Sequence, residues 1–178
     1  MQPALTTTRF IPADFYTSSH YIFGQTKVGN QGVLGILTDP HNSYMEVSEA
    51  SIARLHATDQ VINYSPVTWV VKRQMVAVCL TKREHIGPVG LARGGYERIF
   101  PVAVMITSPD YEVRGTLEWA GRFDFSVMMG EGISPFLPIY DAVMISTLYP
   151  KFRVETPAML FNRSFLDTLV VMKSRAEG

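Results

Sequence analysis

The chain holds 178 residues, 47% of them hydrophobic and 18% charged, a balance that supports a packed core and excludes a disordered tail or a coiled coil. Sixteen basic residues against sixteen acidic ones leave no net charge, so no overall field draws nucleic acid or an anionic surface, and such a partner must be met by a local patch. One cysteine excludes a disulfide framework, and four scattered histidines with no cysteine pair lack the ligand spacing of a zinc site.

The opening M-Q-P-A-L-T-T-T-R-F has no charged leader followed by an apolar stretch, and no later run reaches the roughly twenty apolar residues that span a bilayer. The expected location is the cytoplasm, with no membrane partner.

In chain order, short runs rich in Val, Ile, Phe, Tyr, Thr and Met predict strands at 9–16, 20–28, 33–38, 44–53, 67–72 and 75–81, with counterparts about ninety residues later. Turn punctuation separates them: N-Q-G, T-D-P-H-N, Y-S-P and, in the second half, M-G-E-G-I-S-P. A short helical turn is expected around Ile52 to Thr58. Cys79, inside V-A-V-C-L, reads as a buried free thiol.

Five blocks recur in one order. R-F-I-P (Arg9 to Pro12) returns as R-I-F-P (Arg98 to Pro101), and T-S-S-H-Y (Thr17 to Tyr21) as T-S-P-D-Y (Thr107 to Tyr111), each followed by a glycine, Gly24 or Gly115. S-Y-M-E-V-S-E-A-S-I (Ser43 to Ile52) lies against P-F-L-P-I-Y-D-A-V-M (Pro135 to Met144), with Glu49-Ala50 and Asp141-Ala142 in register. W-V-V-K-R-Q-M-V (Trp69 to Val76) lies against M-L-F-N-R-S-F-L (Met159 to Leu166), which sets Arg73 beside Arg163. The pattern predicts an internal duplication: a first repeat over 1–86, a Gly-rich linker over 87–95 and a second repeat over 96–178. Few short strands per copy favour a closed sheet without exposed edges, so the expected fold is all-β, two similar small β-barrels. Most aromatic residues, Trp69 and Tyr44 among them, are expected to fill the two cores, while Trp119 beside G-R-F-D-F is a candidate interface marker.

The second-copy blocks quoted above, with I-T-S-P-D-Y-E-V-R-G-T-L and R-F-D-F-S-V-M-M, resemble a family of small uncharacterised bacterial β domains. Each copy also resembles the Sm-like or SH3-like small barrel. Gly35, Asp39, Asn42 and Glu49 echo the first Sm-like motif, and Arg73 and Arg163 stand at the last hairpin, followed by glutamine and serine where that family carries glycine. The Sm-like resemblance implies RNA binding through those arginines and assembly through strand edges.

Lys82 and Arg83 in one copy, Lys173 and Arg175 in the other, add positive charge at equivalent strand ends. No G-x-S-x-G elbow, paired-ligand spacing or phosphate-loop context is present, so no catalytic residue, cofactor or metal is expected. The candidate binding residues are therefore Arg73, Arg163, Lys82, Arg83, Lys173, Arg175, Asp39 and Asn42. The expected function is a non-enzymatic scaffold or protein-interaction module that self-associates or binds a protein partner, with an Sm-like RNA binder as the alternative and an enzyme site between the halves as a third class.

Overall fold

The computed structural model describes residues 8–89, 98–131 and 133–173. The chain is all-β. Its strands are β1 (Arg9–Tyr16), β2 (His20–Val28), β3 (Tyr44–Arg54), β4 (Ala57–Val71), β5 (Ala77–Leu80), β6 (Ile99–Thr107), β7 (Tyr111–Ala120), β8 (Phe136–Ser146), β9 (Arg153–Asn162) and β10 (Thr168–Val171). Two short helices, α1 (Gly32–Thr38) and α2 (Phe125–Met128), precede β3 and β8.

All ten strands form one antiparallel sheet in the order β10-β6-β7-β8-β9-β5-β1-β2-β3-β4. The expectation of two closed barrels is corrected here. Closing the first half would require β5 to pair with β4; instead the second edge of β5 is taken by β9, and β4 stands at one end of the sheet with β10 at the other.

The ladder explains the burial. In β5, Val78 and Leu80 enter one hydrophobic cluster with Phe15, Val47 and Leu160, while Ala77 and Cys79 point the other way into a second with Ile106 and Met159. Strand periodicity of two therefore lets four residues serve two cores on opposite faces. Each core draws residues from both sides of the β5–β9 junction.

Backbone pairings recur between the halves, at an offset of 91 positions for the first, second, fourth and fifth strands and of 92 for the third. Tyr16 pairs with Tyr21 and Ala77, and Thr107 with Glu112 and Thr168. Both second strands shift register at a glycine, between Phe23 and Gln25 and between Arg114 and Thr116. Opposite those shifts Glu49 (φ 50°) and Asp141 (φ 48°) hold the left-handed conformation that goes with a bulge and a bend. The offset of 91 sets the turn Lys72–Gln74 against Arg163–Phe165, so Lys72, not Arg73, stands where Arg163 does. The sequence alignment slips by one residue there because apolar strands match about as well in either register.

Two local expectations fail for identifiable reasons. The run at 33–38 is helix α1, not a strand: Val33, Leu34 and Leu37 are buried on one helical face, and Gly32, at φ 64°, lies so close to Ile86 and Gly87 that a Cβ there would clash. The stretch at 52–58 is not a helical turn but the end of β3 and the start of β4, joined through Leu55 and His56. Strand β4 also begins ten residues earlier than expected, at Ala57 rather than Val67, because its exposed first part carries polar residues that mask the pattern. Of the expected linker, residues 87–89 are described; 90–95 lie outside the described residues, as does Arg175.

Candidate functional site

The expected binding residues do not converge. Asp39 and Asn42 close the turn after α1: the His41 amide donates to Asp39 Oδ1 (2.9 Å) and Asn42 Nδ2 to Asp39 Oδ2 (2.8 Å). These donors hold the Asp39 carboxyl below its usual pKa, the His41 amide contributing most. The Asp39 carbonyl accepts from Lys72 Nζ at 3.0 Å, and burial pushes that ammonium's pKa down.

Arg163 does the corresponding work in the second half. Its guanidinium donates to the carbonyls of Met128 (2.7 Å), Gly130 (3.0 Å) and Ile133 (3.1 Å), tying down the loop between α2 and β8. Arg73 is exposed on the equivalent turn, one residue beyond Lys72. Arg83 crosses between the halves, with Asp141 at 2.5 Å, Glu118 at 3.7 Å and its guanidinium 4.7 Å from the Tyr140 ring centre. Lys82 lies 4.0 Å from Glu84, and Lys173 is exposed past β10.

Titratable chemistry in the interior is muted. Cys79 is buried and its thiol pKa is pushed up by desolvation and by nearby Asp14, which keeps it protonated. Tyr16 stacks on Tyr21 at 5.0 Å and meets Tyr111 edge-on at 6.4 Å; burial raises all three phenols, and Tyr111 donates to the Thr17 carbonyl at 2.6 Å. Among the described residues no three His, Cys, Asp or Glu side chains gather as a metal site, and no helix is long and apolar enough to cross a membrane. An open groove of about 930 Å³ runs between α1 and the β7–β8 region, past Leu34, Trp119 and Phe136. Trp119 is half-buried there, edge-on to Phe123 at 5.3 Å.

The unexpected feature is at the ends of the sheet. Along β4, Val61, Ile62, Tyr64, Val67, Trp69 and Val71 are exposed, Trp69 by 63%; at the other end Val170 and Val171 of β10 are exposed by 53% and 48%. Several aromatic residues expected in the cores are thus outside them, Trp69, Tyr44, Phe10 and Phe100 included. The only signal in the sequence was a gap in the pattern: β4 holds a single charged residue, Asp59, in fifteen, without the lysines that usually guard an edge.

Backbone donors and acceptors on such an edge are free to pair with another strand, and the apolar row beside them gives that pairing area to bury. Comparison with known proteins returns no match of any kind: no family model, no curated protein and no solved structure matches this chain.

Proposed function

We propose that this chain is a non-enzymatic scaffold that self-associates through the open edges of its sheet, built from two copies of one small five-strand unit. The observation that carries the reading is the apolar row on β4 beside a backbone edge that no strand pairs among the described residues. A soluble chain that leaves such an edge open exposes it to aggregation unless a strand covers it. Duplication is supported by the repeated ladders, the matched left-handed residues Glu49 and Asp141 and the matched last turns. In this reading each unit is of the small-barrel kind the sequence resembles, left unclosed so that its end strand serves a neighbour.

The basic residues support this reading better than RNA binding, because Arg163 and Arg83 are engaged with the chain's own carbonyls and carboxylates. Light scattering on the purified chain at low and moderate salt, with absorbance recorded for nucleic acid, tests it. A mass above the single chain's 19.9 kDa without nucleic acid supports the scaffold. A bare single chain overturns it, and nucleic acid that dissociates as salt rises transfers the function to RNA binding.

A further inference from the structure

We infer that the partner of the β4 edge is β10 of a second copy of this chain, added antiparallel with Thr168 opposite Val70, Leu169 opposite Trp69, Val170 opposite Thr68 and Val171 opposite Val67. The inference rests on the self-association proposed above and names its geometry.

The chain already contains this joint once. At the β5–β9 junction, Ala77 pairs with Phe161, Val78 with Leu160, Cys79 with Met159 and Leu80 with Ala158. Moved by the offset of 91 that the fourth and fifth strands share, from Ala77 to Thr168 and from Phe161 back to Val70, the two partners become β10 and β4, the two strands at the sheet's ends. The internal joint is dry, with Val78 and Leu160 both 0% exposed; their equivalents Leu169 and Trp69 sit at open ends, Trp69 63% exposed. Phe136, buried at 2% against the first half's core, likewise has Tyr44 as its exposed equivalent at 47%, the two opposite Asn162 and Val71 in their ladders.

Two further details of β4 match the acceptor strand β9. Pairing with β5 covers the residues directly after Pro157, and Pro66 stands just before Val67 in the same place. A proline there ends the ladder without losing a needed donor. Thr156 Oγ1 lies 2.9 Å from its own strand's Ala158 carbonyl and 2.9 Å from Leu80 of the incoming strand. Ser65 Oγ, at the position equivalent to Thr156, likewise donates to a carbonyl two residues on in its own strand, that of Val67, at 2.6 Å.

Each chain then carries one acceptor edge and one donor edge, so the contact is heterologous and propagates from copy to copy, ending in a ring if the rotation closes and in a filament if it does not. The test uses the full chain with each edge blocked separately by charge. Val67→Lys with Trp69→Lys blocks β4, and Val170→Lys with Val171→Lys blocks β10; circular dichroism of each confirms the fold, which these exposed positions leave intact. Either block is expected to reduce the assembly to 19.9 kDa, and an equimolar mixture of the two to give a particle of twice that mass, since one good joint remains. A Thr68→Cys, Val170→Cys chain is expected to form disulfide-linked oligomers under mild oxidation, whereas either cysteine alone does not propagate beyond a dimer. Assembly that survives the β10 block overturns the head-to-tail joint while leaving self-association standing. A wild-type single chain overturns both.

Discussion

Strands β5 and β10 occupy the same place in the two halves and have similar apolar composition, A-V-C-L against T-L-V-V, yet all four residues of the first are buried and three of the second are exposed. Each pairs on one side with the first strand of its own half. The difference lies on the other side, where β5 meets β9 and β10, among the described residues, ends the sheet. Burial at this position is a property of the neighbour rather than of the residue, and a neighbour for β10 is what the proposed joint supplies.

The largest expected effect tests that contrast at one equivalent pair. Leu80 is 1% exposed and Val171 is 48% exposed. Leu80→Ala should remove about 2–5 kcal/mol of stability through lost burial and a residual cavity. Val171→Ala should cost less than about 0.5 kcal/mol. Urea unfolding of chain diluted to single molecules reads both. Equal losses would mean that β10 is packed in solution as β5 is, and the comparison would break.

The next contrast lies in the last turns. Arg163→Ala should cost about 2–3 kcal/mol, because three carbonyls lose a charged donor, whereas Lys72→Ala, which frees only the Asp39 carbonyl, should cost about 1 kcal/mol. Arg163→Lys is expected to recover part of the loss, since one ammonium cannot reach all three acceptors in the planar fork of a guanidinium. A full recovery would show that charge alone matters there and that the two turns are interchangeable.

At the bulges the halves should behave alike. A Cβ at Gly24 would lie 2.7 Å from the Ser48 carbonyl and 2.7 Å from Val47 Cγ1, and at Gly115 3.0 Å from the Tyr140 carbonyl and 2.5 Å from Ile139 Cγ2. Alanine at either position is expected to cost about 1–3 kcal/mol by overpacking, with Gly24→Ala the worse because a carbonyl yields less readily than a methyl. Thermal melts of the two variants would sharpen the equivalence, and a neutral Gly115→Ala alone would break it.

These particular residues also show what was legible beforehand. Strands β1 and β2 were readable to their ends, and β3 to within a residue, because one face of each is buried and the alternation survives in the sequence. Glu49 and Asp141 aligned because a bulge fixes its own register whatever surrounds it. The run V-L-G-I-L fits either period, since four apolar residues around a glycine do not separate strand from helix, and the structure makes it a helix with Val33, Leu34 and Leu37 buried. Arg163 stands out in the sequence only as a candidate binding group; its three carbonyl partners lie thirty or more positions away in sequence and no local pattern announces them. The exposed row on β4 was invisible for the opposite reason. Its residues are those of a core strand, and what makes them a surface is that β4 ends the sheet among the described residues, a fact of topology.

The smallest expected effect concerns a charge that only one half holds. Asp14, in β1, sits between Phe23 and Cys79 in the ladders, where the second half has Met105 between Arg114 and Val170. Burial raises the Asp14 carboxyl above its usual 3.8, and the hydrogen bond from Tyr21 at 3.2 Å offsets part of that rise. A carboxyl with a raised folded pKa binds its proton more tightly when folded, so stability is highest below the unfolded pKa and falls as pH climbs through the folded one. Asp14→Asn keeps a carbonyl for Tyr21 and carries no charge. It should therefore stabilise the chain at neutral pH, by less than about 1 kcal/mol after solvent screening, and the gain should vanish once the pH drops below the unfolded carboxyl's value. Urea midpoints of both chains from acid to neutral pH decide it: a difference that does not change with pH would place the effect in packing against Cys79 and not in the charge.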